Sequence, residues 1–205
     1  MDDTAKEIPG GEAICPARHG PWLASSLRKL IHPPRQILRD LAHPGATVVD
    51  IGCGPGYFTL PLARLVGEHG LVVAADLQKT MLEQMLYRAA RAKLLGRILP
   101  HRCAGETIGY AGPVDAILAF YMVHEVPNVA GFFNETWHML RPGGRMLLVE
   151  PKFHVTAGCY QKTVTLALAA GFRSVASPKI RFSRSVLLER VASQQPSSAS
   201  PQSGA

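Results

Sequence analysis

Hydrophobic and polar positions fall into alternating blocks along this chain. Thr47-Val48-Val49-Asp50-Ile51 is a run of β-branched and aliphatic residues that ends in glycines, the pattern of a buried strand. Residues 57–66 follow with helical spacing. A second strand is predicted over residues 71–75 and is closed by Asp76. Residues 80–95 form an amphipathic pattern. Met81, Met85 and Ala89 lie on one face, and Arg88, Arg91 and Lys93 on another. A weaker strand is predicted over 97–103 and a strong one over 115–120. Residues 129–140 read as a helix stopped by Arg141-Pro142-Gly143-Gly144, and 145–149 as the next strand. A helix over 156–170 is ended by Gly171. Two last strands are predicted at 172–177 and 185–190, near Pro178.

Strand and helix alternating with short turns predict an α/β fold with a mostly parallel sheet covered on both faces. In such open sheets ligands bind beyond the carboxyl ends of the strands. Site residues are therefore expected just after Ile51, Ala75, Cys103, Phe120 and Val149. Ahead of the first strand, Leu23, Leu27, Leu30 and Ile31 make an apolar stripe, and Pro33-Pro34 opens a second short helix through Ile37, Leu38 and Leu41. Residues 14–44 are expected to form a helical lid or packing segment, and 45–192 the main domain. Residues 1–13 are polar and aperiodic, and a flexible end is expected. Residues 193–205 contain only Ser, Gln, Pro, Ala and Gly, so a disordered tail is expected.

Composition narrows the class. Of 205 residues, 47% are hydrophobic and 18% charged, enough apolar surface for a core without staples. No apolar stretch is long enough to span a bilayer, and the opening Met1-Asp2-Asp3, without a basic region and apolar run, leads to no expectation of secretion. The four cysteines (Cys15, Cys53, Cys103 and Cys159) are scattered and form no CxxC pair, which suits free thiols in a cytoplasmic protein. The same scatter offers no metal-ligand spacing, and no metal is expected. The net charge is +7, with Lys and Arg spread along the helices rather than interleaved with aromatics. Solvated helix faces explain this better than a nucleic-acid surface does.

The most informative run is Asp50-Ile51-Gly52-Cys53-Gly54-Pro55-Gly56. Glycines at alternate positions let the backbone bend tightly and approach a ligand without Cβ clashes; tight packing alone is the competing reading. A dinucleotide fingerprint needs its third glycine five positions after the first, and that position holds Tyr57. A Walker lysine is also missing, since Tyr57-Phe58-Thr59 follow Gly56. Phosphate cradling is disfavoured, and a neutral or cationic ligand suits a loop that starts with an acid. Asp76, twenty residues after Gly56, can accept both ribose hydroxyls of a nucleoside.

Taken together these residues resemble the class I S-adenosylmethionine-dependent methyltransferases. The resemblance rests on four features in order: Asp50-x-Gly52-x-Gly54-x-Gly56; Asp76 closing strand two; the strand Asp115-Ala116-Ile117-Leu118-Ala119-Phe120; and Leu140-Arg141-Pro142-Gly143-Gly144 before strand five. It covers roughly residues 45–190 and is closest to the small-molecule branch that includes the ubiquinone/menaquinone-biosynthesis type. The family implies a Rossmann-like seven-stranded sheet with an antiparallel last strand and helices on both faces. It implies S-adenosylmethionine as cofactor, with Gly52, Gly54 and Gly56 against its methionine part, Asp50 supporting the loop, and Asp76 with Leu77 at the ribose. Phe120 would face the cofactor. Near the adenine the family often has Asp-Ala or Asn-Ala. This chain has Arg102-Cys103-Ala104-Gly105-Glu106, so either Cys103 and Ala104 act through their backbone or Glu106 supplies the acid.

A sulfonium methyl is already electrophilic, so holding a nucleophile in line with it is the main task; positioning contributes about 7–11 kcal/mol in favourable cases. Candidate catalytic residues follow strand four. Tyr121 is expected beside the sulfonium, and His124 to orient or deprotonate an acceptor; packing or helix capping is the alternative role for both. Glu125 reads as an exposed or His-orienting acid, and Glu150, Lys152 and His154 as lying near the acceptor mouth. Enzymes that methylate nucleic-acid amino groups usually carry Asp/Asn-Pro-Pro-aromatic after strand four. Here Ala119-Phe120-Tyr121-Met122 stands instead. The expectation is methyl transfer to a small molecule. The alternatives are an RNA or protein methyltransferase using the basic surface, and a protein that binds the cofactor without turnover. The sequence does not set the oligomeric state.

Overall fold

The computed structural model describes residues 31–191. The expected flexible end, the stripe through Leu23, Leu27 and Leu30, and the expected tail lie outside them. The described chain opens with a short helix, α1 (Pro34–Ile37), preceded by Pro33. It continues as β1 (Thr47–Ile51), α2 (Thr59–Leu65), β2 (Leu71–Asp76), α3 (Lys79–Arg91), β3 (Ile98–Arg102) and β4 (Val114–Phe120). Then come α4 (Val129–Met139), β5 (Leu140–Pro151), α5 (Ala157–Ala169), β6 (Phe172–Ala176) and β7 (Ser183–Arg190).

The seven strands form one sheet in the order β3-β2-β1-β4-β5-β7-β6. β1 pairs in parallel with β2 and β4, β2 with β3, and β4 with β5. Only β7 runs against its neighbours, β5 and β6. The alternation of strand side chains explains the apolar runs. Val48, Ala74, Leu118 and Leu147 point into one core with Leu62 of α2 and Met85 of α3. Val49, Val73, Ile117 and Met146 point into the other, with Phe133 of α4 and Ala167 of α5. Both faces are covered, so these strands can be apolar throughout.

Four elements differ from expectation. α1 ends at Ile37, and Leu38 and Leu41, expected within it, lie in the turn that follows. α3 stops at Arg91, because Lys93 takes a left-handed conformation (φ 57°) and Leu95–Arg97 makes a separate 3₁₀ turn. α2 begins at Thr59, because Tyr57 and Phe58 belong to the turn after β1. Arg141-Pro142-Gly143-Gly144 follows the helix stop, but the residues lie within β5, which starts at Leu140 opposite Val114 and shifts register before Ala116.

The order of strands reverses direction about β1 and β4. Their carboxyl ends therefore flank a crevice, the place where open α/β sheets bind ligands. The antiparallel β7 brings its first residue, Ser183, to the same sheet edge, opposite Pro151.

Candidate active site

The turn after β1 is held from three sides. Beneath it, the buried Asp50 accepts a 2.6 Å hydrogen bond from Thr59 Oγ1, which ties the strand end to the start of α2. From β2, the Ala75 carbonyl accepts from Gly52 N and Cys53 N, and Asp76 Oδ2 accepts from Gly54 N at 2.8 Å. From α3, Arg88 Nη1 donates to the Pro55 carbonyl at 2.5 Å. Arg88 is thus a clamp on the turn rather than part of a solvated basic face. These bonds explain why the loop is no phosphate cradle. The N–H groups of Gly52, Cys53, Gly54 and Gly56 are all engaged within the protein, the last by the Cys53 carbonyl.

The three glycines have positive φ, at 68°, 51° and 82°, but they serve different ends. A Cβ on Gly56 would meet Met85 Cγ at 2.7 Å and Leu60 Cδ1 at 2.8 Å, and one on Gly52 would meet Met122 Cβ at 2.9 Å. Those two glycines permit close packing. A Cβ on Gly54 would meet nothing within 4 Å. Gly54 is the glycine that faces open space, next to a buried acid.

That acid, Asp76, is 8% exposed and also accepts from Gln78 N through Oδ1 at 2.9 Å. Burial raises its pKa above the ordinary carboxylate value, and the N–H groups of Gln78, Gly54 and Leu77 pull it part of the way back. Leu77 follows it, half-buried. The Asp76 carbonyl accepts from Cys103 N, which brings the end of β3 to the same place. Burial and the charges of Asp76 and Glu135 push the Cys103 thiol up to about 11, so it is neutral at physiological pH. Ala104 and Thr107 close a tight turn through reciprocal backbone bonds, with Glu106 exposed on it. The acid that orders this segment is Glu135 of α4, which accepts from Ile108 N and Gly109 N.

Beyond β4, Phe120 is buried against Phe58, with ring centroids 4.5 Å apart, and against His32 at 5.2 Å. Tyr121 has φ 63°, a conformation that is an outlier for a bulky side chain. Its hydroxyl lies 2.6 Å from Ser183 Oγ and 3.1 Å from His32 Nε2. The ring therefore bridges β4, β7 and the segment before α1, and the hydroxyl is bound up in that bridge. His32 Nε2 also lies 3.0 Å from the Arg181 carbonyl, and the His32 carbonyl accepts from the Tyr57 hydroxyl. Neither His32 nor Ser183 is among the site residues expected from the sequence, because only the fold brings them to Tyr121.

His124 sits in the 3₁₀ turn Val123–Glu125. Its partner is Glu150, near the end of β5 and 1% exposed. Glu150 Oε2 lies 2.6 Å from His124 Nδ1, and Oε1 accepts from the His124 backbone N at 3.1 Å. Glu125, the acid expected to be exposed or to orient His124, is half-buried and lies 3.9 Å from Nε2, on the other side of the ring from Glu150. A proton on Nδ1 shared with the buried carboxylate makes Nε2 the basic nitrogen, the arrangement of the histidine–acid half of a catalytic triad. His154, exposed after β5, packs its ring on His124 at 4.9 Å. Among the described residues no cluster of three or more His, Cys, Asp or Glu could hold a metal. No helix among them is long and apolar enough to cross a membrane.

Strand order, the helices on both faces and the glycine turn define the class I, Rossmann-like methyltransferase fold. A family model described as a methyltransferase domain matches residues 48–144, just under half of the chain, and over that stretch the chain is similar to that family. Over 107 residues the chain is 29% identical to the ubiquinone/menaquinone biosynthesis C-methyltransferase UbiE of Klebsiella pneumoniae subsp. pneumoniae. That match covers 52% of this chain and 43% of UbiE, so it spans less than half of the relative. A SAM-dependent methyltransferase from Aquifex aeolicus superposes with a TM-score of 0.78 at 20% identity, covering 87% of this chain and all of that one. The [4+2]-cyclase SpnF superposes with a TM-score of 0.68 at 14% identity, covering 78% and 80%.

Proposed function

We propose that this protein is an S-adenosylmethionine-dependent methyltransferase that acts on a small molecule whose nucleophile must lose a proton. The observation that carries the second half is the His124–Glu150 pair at the carboxyl edge of β4 and β5. The first half is supported by open space in front of Gly54 beside the buried carboxylate of Asp76, a cradle that fits a nucleoside with a cationic tail.

In this reading Gly54 and its neighbours Gly52 and Gly56 form the wall against the methionine part. Asp76, with Leu77 beside it, takes the ribose hydroxyls. Cys103 and Ala104 border the adenine through backbone groups, and Phe120 closes the inner side. Glu106, exposed on its turn, is the weaker choice for the adenine. Asp50 does not touch the ligand; it braces the turn through Thr59. When bound, S-adenosylmethionine supplies an electrophilic methyl group. The protein's own residues do the rest. Glu150 holds His124 by two bonds, so that Nε2 faces the acceptor as base and takes its proton while the nucleophile attacks in line. Tyr121, its hydroxyl bound to Ser183 and His32, positions the edge of the site and does not handle the proton. The free Cys53, Cys103 and Cys159 suit a reducing cytoplasm.

The test is direct. Calorimetry on the pure protein with S-adenosylhomocysteine should show binding that Asp76→Ala weakens at least tenfold. A metabolite extract given methyl-labelled cofactor should yield a labelled small product. No binding by the folded protein would end the methyltransferase reading. Label found only in RNA or protein would end the small-molecule part.

A further inference from the structure

Chemistry that the proposed mechanism leaves unused gathers at the rim beside His124. Phe153 is 85% exposed and Phe182 41% exposed, and their rings meet at 5.6 Å with an interplanar angle of 42°. The two come from different elements. Phe153 follows β5 and precedes His154, whose ring packs on His124. Phe182 precedes Ser183, whose hydroxyl lies against that of Tyr121. Each phenylalanine is therefore one residue removed from a group that touches the proposed catalytic edge. The Lys152 N–H donates to the Phe182 carbonyl, so the β5–β7 ladder continues past its last paired residues and fixes the two rings side by side. Arg184 braces the same turn by donating to the Lys152 and Val155 carbonyls.

Two further observations point to a ligand. First, the rim is strained. Phe182 has φ 60° and Tyr121 φ 63°, two of the three non-glycine residues with positive φ among those described. Bulky side chains rarely adopt that conformation, and strain of this kind gathers at ligand-binding sites. Glycine at position 182 would relieve it, yet the chain places there a half-exposed aromatic ring. Second, the rim is cationic. Lys152, Arg181 and Arg184 flank the two rings in sequence, whereas Arg173 is paired with Glu189 at the other end of β7. Lys152 and Arg181 are exposed at the rim, with the Arg181 guanidinium 4.9 Å from the Phe182 ring centre. The acids of the neighbouring edge are Glu150, buried on His124, and Glu125, half-buried beside it.

Resting on the methyltransferase reading, we propose that the Phe153–Phe182 rim recognises the acceptor, and that the acceptor is a flat aromatic molecule carrying an anionic group. The two rings offer a surface for stacking, and Lys152 and Arg181 offer the charge. The flat body lies across the rim, with the atom to be methylated directed towards His124.

The probe is 2-naphthoate, titrated into the full-length protein by calorimetry with and without saturating S-adenosylhomocysteine. Its comparison compounds are 2-naphthylmethylammonium, which reverses the charge, and cyclohexanecarboxylate, which lacks the flat ring. The expected order places 2-naphthoate about tenfold or more ahead of both. Phe153→Ala and Phe182→Gly should each weaken it about tenfold, and Lys152→Gln with Arg181→Gln should abolish the preference over the ammonium. Phe182→Gly should also leave the melting temperature level or raised, because the released strain offsets the lost contacts of a half-exposed ring. S-adenosylhomocysteine affinity should be unchanged in all variants. The proposal is overturned if the variants bind 2-naphthoate as the parent does, or if Phe182→Gly lowers the melting temperature and shows the ring to be a packing element. It is equally overturned if phosphatidylglycerol vesicles or poly(U), rather than 2-naphthoate, lose binding in Phe153→Ala. Loss of S-adenosylhomocysteine binding by the parent protein, with 2-naphthoate still bound at the rim, would instead remove the methyltransferase reading.

Discussion

Replacing Glu150 by Gln tests the His124 mechanism with almost no change of shape. The Glu150 carboxylate accepts two N–H groups from one residue: the His124 backbone N–H at 3.1 Å and Nδ1 at 2.6 Å. A glutamine amide has one oxygen. The backbone N–H cannot give up its proton, so the amide oxygen must turn towards it. The amide NH₂ then faces Nδ1, which must become the acceptor, and the proton moves to Nε2. The tautomer is reversed and the basic nitrogen no longer faces the acceptor. A general base contributes about 10²–10⁴-fold to the rate, so labelled methyl transfer in a metabolite extract should fall by about that factor. Affinity for S-adenosylhomocysteine should not change, because Glu150 bonds His124 rather than Asp76 or the glycine turn. Losing one charge-assisted bond costs about 1–3 kcal/mol of stability, tolerable for a domain of this size. Nitrogen NMR of the imidazole should show Nδ1 protonated in the parent and Nε2 protonated in the variant. If the tautomer stayed as in the parent, or transfer proceeded undiminished, the dyad would not be the base.

Three other outcomes follow from the geometry. Cofactor affinity should rise with pH while Asp76 loses its proton and level off once it is ionised. Asp76 must be ionised to accept hydroxyls, and burial raises its pKa above the ordinary carboxylate value. The stability linkage has the opposite sign, since the folded form holds its proton longer: stability tied to Asp76 falls as pH rises from the ordinary value to the raised one, then stays level. Calorimetry and thermal melts from pH 4 upward separate the two trends, and a flat affinity profile would remove Asp76 from the ligand. Gly56→Ala should lower stability by about 1–3 kcal/mol, because its Cβ would press on Met85 and Leu60. Gly54→Ala should cost only about 1 kcal/mol of backbone strain yet weaken S-adenosylhomocysteine at least tenfold; the reverse pattern would place the ligand elsewhere. Cys103, half-buried, should resist iodoacetamide near pH 7 and react more readily as pH approaches about 11, while the exposed Cys159 reacts first; rapid labelling of Cys103 at neutral pH would refute the raised thiol pKa.

Much of the fold was legible because it rests on side chains buried on both faces of a sheet. β1, β2 and β4 are continuous aliphatic runs, and the sequence marks them to within a residue. Legibility failed where a backbone state is not tied to a residue type. Lys93 occupies a left-handed position that glycine or asparagine would normally announce, so the end of α3 could not be read. The segment from Arg141 to Gly144 does stop a helix, as its proline and glycines say. The same residues also extend a strand, because Leu140 finds Val114 across a register shift, a pairing between segments far apart in sequence.

The candidate site divides along the same line. The turn and Asp76 lie within one strand–turn–helix–strand unit, so spacing alone associates them. The acceptor edge is assembled from distant segments: His124 and Glu150 are 26 residues apart, Tyr121 and Ser183 62, Tyr121 and His32 89. Only the adjacency of β4, β5 and the reversed β7 brings them together, and no local motif encodes it. This division bears on function as well. SpnF, a [4+2]-cyclase, shares the fold with methyltransferases, so the sheet cannot by itself decide the chemistry. In the proposed function, the half of the site that the sequence announces holds the nucleoside. The half that only the fold assembles, with Glu150 set on His124 and Phe182 strained beside it, is where a proton-removing transferase and a mere binder of the same nucleoside part company.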